Sequence, residues 1–462
     1  MSLWPPDPST LTRPAYRSLA QQLTAAIEAG ELPPGTRLPT QRDLADSLGL
    51  SLQTVGRAYD ALIRSNLIAG HVGRGTFVTA RAAEGSSIPF QRLERGADVI
   101  DCSMLTPVMD DLHREAMREA MVAVAGRLSP DALFSFRARQ SVSLHTRATL
   151  DWLQRCGIRT NADRVVTTNG CTAAITLALI SVAAPGDLIL CDEMSHHMLG
   201  STARYLGLRL GTVASDNEAM DPGALAKACE TSEPKALFLM PSGAHPETRV
   251  MDLNRRSEIC RIARKFDLKI IENDAWGPLE QGRPSPLAAL APDLVFYITG
   301  LTKCLMPGMR VGWLVVPDRS IHAVTSRNLA LQWMATTLMS ELAAHWISEG
   351  TAERLLQWQR QALARRNRIA RKVFDGLPIR SNPRGLHVWL PLDRAWEADA
   401  FVMRARQDGI ATASGRAFAM GERYANGVRI CLGAPSEHDL NRALVQLRRL
   451  AESPAEPSYF AI

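Results

Sequence analysis

The sequence predicts two joined modules: a small winged helix-turn-helix, then a large α/β domain closed by a smaller α+β unit. Three observations carry this expectation. Within residues 1–80, two short amphipathic helices flank a glycine turn and precede a glycine-tipped hairpin. From residue 98 on, short apolar runs alternate with helical stretches, the pattern of a buried, mostly parallel sheet covered by helices. The chain has 462 residues, and ordinary domains hold about 100–200.

In the first module, Tyr16, Leu19, Leu23 and Ile27 form a helical stripe between Pro14 and Gly30. Pro33-Pro34-Gly35 is a turn. Thr40 caps the next helix with Asp43 as its acidic partner; Leu44, Ala45 and Leu48 make its inner face, and Gly49 ends it. Ser51 caps a third helix, with Val55, Tyr59, Leu62 and Ile63 expected inside. Leu67-Ile68, His71 to Gly75 and Thr76-Phe77-Val78 read as strand, tip and strand. Residues 81–97 mix charge, Gly and Ser and read as a linker, so the second module is expected over 98–462. There, 164–168, 188–191, 236–240 and 268–271 are strand-like, and 172–184 and 254–266 are helical. Residues 319–376 are mostly helical, and 385–390, 428–432 and 437–451 build the smaller unit.

Composition narrows the function. With 46% hydrophobic and 22% charged residues, a disordered or fibrous chain is excluded. No apolar run reaches the roughly 18 residues of a membrane span, and residues 1–8 carry no secretory signal. Eight scattered cysteines without a C-x-x-C pair suit reduced thiols and a cytoplasmic location. The 53 basic and 47 acidic side chains leave a net +6. Only six of the basic residues are lysines: Lys227, Lys235, Lys265, Lys269, Lys303 and Lys372. A lysine amine forms a Schiff base and an arginine does not, so each lysine warrants its own reading.

The N-terminal end of the second helix of such a motif meets base edges. Here it carries Ser51, Gln53, Thr54 and Arg57, with Gln53 and Arg57 on one face. Gln suits adenine and Arg suits guanine. Arg42 and Arg74 are placed for phosphates or the minor groove. The same residues also read as a solvated face, because residues 1–80 hold seven Arg against six acidic residues. In the second module, Lys303 ends an apolar strand and Arg310 follows seven residues on. That pair suits a confined amine beside a phosphate, or equally a strand-end lysine and a surface arginine.

Residues 32–45 (L-P-P-G-T-R-L-P-T-Q-R-D-L-A), L-G-L-S-L-Q-T-V-x-x-A-Y-x-x-L and G-R-G-T-F-V resemble the winged helix of GntR-type bacterial regulators over 12–79. Where that family often carries Arg after the capping Ser, this chain has Leu52, which implies a different operator. The second module resembles the fold-type-I, PLP-dependent aminotransferases, and the fusion resembles the MocR subfamily of regulators. The resemblance makes Lys303 the Schiff-base lysine, Thr302 and Arg310 phosphate ligands, and Asn169, Gly170, Cys171 and Thr172 the phosphate loop opening a helix. Arg429 matches the arginine that clamps a substrate carboxylate. Several ring contacts depart from the pattern. The Asp at the pyridine nitrogen falls on Asn273, with Asp274 one residue away in case the register shifts. The Tyr at the ring hydroxyl falls on Trp276, the Asn of Asn-Pro on His245, and the stacking aromatic on His197. The first Ser of S-x-S-K falls on Gly300, and the tyrosine that reaches across the dimer falls on Phe136. No metal site is expected, since His196-His197 with Cys191, Asp192 and Glu193 matches no zinc spacing.

The resemblance implies a regulator that binds double-stranded operator DNA as a homodimer, holds pyridoxal 5'-phosphate (PLP) at Lys303 and senses a small amine or amino acid, with no membrane partner. Its rivals are a working aminotransferase and a cofactor-free regulator that uses the fold only to dimerise.

Overall fold

The computed structural model describes residues 4–6, 8–28, 31–33, 35–64, 67–71, 75–78, 99–128, 134, 139–216, 219–243, 245–393, 395–421 and 423–453. The expected linker at 81–97, Gly30, Arg74 and Phe136 lie outside the described residues. The chain divides into two units, Met1–Glu94 and Arg95–Ile462.

In the first unit, α1 (Ala15–Glu28), α2 (Gln41–Leu48) and α3 (Leu52–Arg64) pack around Leu19, Leu23, Leu44, Val55, Tyr59 and Leu62. The Thr40 hydroxyl caps α2, accepting from the Asp43 amide at 3.2 Å and donating to its carboxylate at 2.7 Å. Gly49 ends α2 in the left-handed region at φ 63°. Strands β1 (Arg37–Leu38), β2 (Ile68–His71) and β3 (Gly75–Val78) form an antiparallel sheet in the order β1-β3-β2. The two-residue β1 carries no period that a sequence pattern detects. Ile63 corrects the expectation: it is 42% exposed. Val55, Tyr59 and Leu62 already define the buried face of α3, and Ile63 lies about 100° further round.

The second unit begins with β4 (Ile100–Asp101) and is built on a seven-stranded sheet. Its strands are β5 (Val165–Thr168), β6 (Leu188–Asp192), β7 (Arg209–Val213), β8 (Ala236–Leu239), β9 (Lys269–Asn273), β10 (Val295–Gly300) and β11 (Gly312–Val315). Their order is β5-β11-β10-β9-β8-β6-β7, and only β11 runs antiparallel to its neighbours. Alternate residues feed two cores. Leu190, Leu237, Ile270, Val295 and Tyr297 face one side, and Ile189, Phe238, Ile271, Phe296 and Ile298 face the other. Burial on both faces is why these runs are continuously apolar.

The smaller unit has strands β12 (Arg380–Ser381), β13 (His387–Pro391), β14 (Ile410–Ala411), β15 (Ala413–Ser414) and β16 (Gly427–Cys431). Its antiparallel sheet runs β12-β13-β16-β15, while β14 pairs in parallel with β4. Helices Ala398–Gln407 and Glu437–Glu452 cover it. Among the described residues, no helix is long and apolar enough to cross a membrane.

Placement of the site depends on the carboxyl ends of the parallel strands, where ligands of open α/β sheets bind. At the end of β9, Asp274 turns away from that edge. Its carboxylate meets the Arg283 guanidinium and accepts from the Tyr297 hydroxyl, both at 2.5 Å. The Asp274 carboxylate is fully buried, so this pairing fixes the register of the strand end. Arg283→Leu should therefore leave a buried carboxylate unpaired and destabilise the protein by about 3–5 kcal/mol, measured by denaturant unfolding.

Candidate ligand cavity and nucleic-acid interface

The ends of β5, β6, β8, β9 and β10 converge on a cavity of about 210 Å³. Its wall includes Cys171, Thr172, His197, Asn273, Trp276, Thr302, Lys303, Arg310 and Arg429. Three expected contacts stand outside this wall. The Asn169 side chain bonds Gln332 and the Thr336 amide, both at 3.0 Å. Gly170 lies behind the Arg310 guanidinium. His245 accepts from the Glu247 amide at 3.2 Å. Leu105, Ser195, Met240 and Phe418 also line the cavity, and no motif in the sequence marks them; His196 and Pro246, the neighbours of His197 and His245, line it as well.

One end of the cavity is built for an anion. Helix Cys171–Val182 begins at Gly170, φ 88°, with no side-chain cap, so its first amides remain open. Arg310 lies beside them in the left-handed region at φ 48°, donating to the Asn169 carbonyl at 3.2 Å. Glycines permit this approach. A Cβ on Gly312 would lie 2.7 Å from the Gly170 carbonyl carbon and 2.9 Å from the Cys171 nitrogen. A Cβ on Gly300 would lie 2.7 Å from the Val311 oxygen and 3.0 Å from the Cys171 sulfur, so a serine has no room there.

Lys303 sits in the turn after β10, and its ammonium donates to the Leu105 carbonyl. Burial, then the nearby Arg429 charge, lowers its pKa to about 8. Arg429, on β16, is buried, donates to the Ser103 carbonyl at 2.9 Å and lies 4.6 Å from the Phe418 ring centre. His196 and His197 stack at 4.7 Å. Burial and neighbouring cations push them down to about 4 and about 2, so both rings are neutral. The wall thus carries three cations and, among the described residues, no carboxylate.

At the end of β9 the cavity meets Asn273, not Asp274. Among the described residues, the Asn273 Oδ1, Thr302 Oγ1 and Ser195 Oγ atoms are buried without a protein hydrogen-bond partner. Buried polar atoms are normally satisfied, so these three mark places for a polar ligand or ordered water. Trp276 packs edge-on against His387 at 5.5 Å.

In the first unit, Ser51, Gln53 and Arg57 are exposed at the start of α3, Arg42 is exposed on α2, and Thr54 is half-buried. The Ser51 hydroxyl accepts from the Thr54 amide at 3.1 Å and caps the helix. The Arg57 guanidinium lies 4.5 Å above the centre of the Tyr16 ring. Leu52 is 49% exposed beside them.

Residues 106–447 match the family "Aminotransferase class I and II", and residues 15–78 match "Bacterial regulatory proteins, gntR family". The HTH-type transcriptional regulator YdeF of Bacillus subtilis is 29% identical over 97% of both chains. The chain belongs to the MocR-type transcriptional regulators. The pyridoxine biosynthesis regulator PdxR of Corynebacterium glutamicum is 23% identical over 97% of both chains. The probable rhizopine catabolism regulator MocR of Rhizobium meliloti is 24% identical over 86% of this chain and 85% of its own. An archaeal alanine:glyoxylate aminotransferase structure, 21% identical, superposes with TM-score 0.72 over 78% of this chain and 92% of its own. This MocR-type regulator therefore carries a DNA-binding helix-turn-helix and an aminotransferase-fold domain.

The Arg57 guanidinium rests on the Tyr16 ring; with α3 as the helix expected to meet DNA, Tyr16→Ala should weaken operator binding about two- to fivefold, the factor an exposed cation–π contact carries. Tyr16→Phe keeps the ring and should restore binding. Gel-shift titration of both variants checks this.

Proposed function

We propose that this regulator binds PLP in the cavity and uses it to detect a small amino compound, changing operator affinity when that compound binds. The observation that carries the reading is one cavity holding a lysine amine of pKa about 8, an anion cradle and a separate buried arginine. Arg310, Thr302 and the open amides of helix Cys171–Val182 fit a phosphate. The three cations and the absence of a carboxylate in the described wall suit a ligand that carries more than one anionic group.

Bound there, the cofactor supplies an aldehyde that condenses reversibly with amines. Lys303 holds that group in place, since a neutral amine is available once pH passes about 8. Arg429 receives the acid group of an amino-acid effector, and Phe418 keeps its guanidinium desolvated. His197 offers a neutral ring face. Asn273 offers a neutral amide where aminotransferases keep a carboxylate, so it holds no proton on a ring nitrogen by charge. That difference favours sensing over turnover. Dimerisation through the aminotransferase fold suits a two-part operator. The names of two relatives, in pyridoxine biosynthesis and rhizopine catabolism, fit a ligand of amine or vitamin B6 chemistry.

The deciding experiment is an absorption spectrum of the protein with added PLP beside Lys303→Ala. A visible band in the wild type alone, trapped on Lys303 by borohydride, is expected. Its rate of formation should rise with pH and level off above about 8. No band in either protein would leave a cofactor-free regulator. Asn273→Asp should raise conversion of amino acid to keto acid at least about tenfold, or about 1.4 kcal/mol of barrier, followed by keto-acid assay.

A further inference from the structure

We infer that residues 99–108 are a strap that stands in for the ligand, and that a bound ligand displaces it and so signals along the chain to the DNA-binding unit. The inference rests on the proposed function for the ligand's identity, but the strap's own contacts do not depend on it. Lys303 Nζ donates to the Leu105 carbonyl, and Arg429 Nη2 donates to the Ser103 carbonyl at 2.9 Å. The two side chains placed to receive an aldehyde and a carboxylate are thus both engaged by one backbone segment, two residues apart. The Leu105 side chain also lines the cavity. This segment lies a few residues in sequence after Arg95, where the second unit begins.

The other fastenings hold mainly the two ends of the segment: the Ile100 and Cys102 amides donate to the Gly409 and Ala411 carbonyls at 2.9 and 2.8 Å, and Cys102 and Val108 are buried in the cores. β4 pairs with β14 through two residues, and the Cys102 carbonyl accepts from the Cys431 amide at 2.8 Å. The Asp101 carboxylate accepts from the Ser103 amide at 2.9 Å and the Met104 amide at 3.3 Å. The Thr106 amide donates to the Met104 carbonyl at 3.0 Å. The Thr106 hydroxyl is buried without a partner among the described residues.

Ligand binding competes with both anchoring bonds. When the neutral Lys303 amine condenses with an aldehyde, a C=N bond forms and the aldehyde oxygen leaves as water with both amine hydrogens. The Leu105 carbonyl then loses its donor. A carboxylate brings a full charge and two acceptor oxygens to Arg429, against the single neutral oxygen of Ser103. The Ser103 carbonyl keeps the Cys431 thiol as a donor at 3.4 Å, but the part-buried Leu105 carbonyl is left without one, which favours movement of the strap toward water or a new partner.

Amide hydrogen exchange across residues 99–108 of the full-length protein tests this. In Lys303→Met without PLP, exchange at Cys102 to Thr106 should be about fivefold faster, the factor one net hydrogen bond carries. PLP should produce the same acceleration in the wild type and none in the variant. A second variant touches no cavity residue: a Cβ on Gly433 would lie 1.8 Å from the Thr106 oxygen. Gly433→Ala should therefore push the strap away and give PLP-free protein the operator affinity of loaded wild type. Unchanged or slower exchange in Lys303→Met overturns the strap, as does a folded Gly433→Ala protein with the operator affinity of unloaded wild type. A PLP band without faster exchange overturns the strap but leaves the cofactor reading intact. No band, with faster exchange in Lys303→Met, supports the strap and overturns the cofactor reading.

Discussion

The close approach of β10 and β11 to the first turn of helix Cys171–Val182 is the contact on which the second unit's site depends. Gly312 pairs with Thr168 in the sheet, and its missing side chain leaves room for Gly170 and Cys171. Gly300 does the same from the neighbouring strand. A methyl group at either place would push the helix end away from the strand that carries Lys303. The open amides, the Arg310 guanidinium and the lysine amine share one small space only because three backbones are packed this tightly. Arg310 accepts a left-handed backbone conformation to be there, a local strain that the surrounding packing holds.

Charge in the cavity follows from the same packing. Asp274, next to the cavity's Asn273 in sequence, is turned into the core and neutralised by Arg283. Glu272, on the same strand, is fully buried, accepts from the Leu287 and Ala288 amides, and is pushed up in pKa by burial and by Asp274. Both acids are spent on holding β9 and β10 in place. What remains at the cavity is cationic, and the positive field helps to lower the Lys303 pKa.

Much of this was legible in the residues. The apolar runs located β5, β6, β8 and β9, because strands buried on both faces have few polar interruptions. Lys303 stood out because lysine is rare here, and Thr40, Gly49 and Ser51 marked helix ends because caps need particular side chains. The rest was hidden for physical reasons. Whether Asn273 or Asp274 faces the cavity depends on where Arg283 and Tyr297 lie, and sequence spacing does not encode that. The Ser103 and Leu105 acceptors are backbone oxygens, which every residue possesses. Ile63 was misplaced because a helix edge one step from Leu62 looks apolar in a pattern whether or not anything covers it. Tyr16 was read as part of an apolar helical stripe; it packs half-buried against the core, and its ring also supports Arg57, which an apolar pattern does not show.

Cys171 shares the cavity wall with Lys303, and this sets which atom an electrophile meets first. In water a thiol loses its proton more readily than a lysine ammonium does. Burial disfavours whichever form is charged, so it raises the Cys171 thiol to about 12 and lowers the Lys303 amine to about 8. The order of the two is reversed. Near neutral pH the cavity presents more free amine than thiolate, which favours nitrogen over sulfur as the nucleophile toward a carbonyl compound.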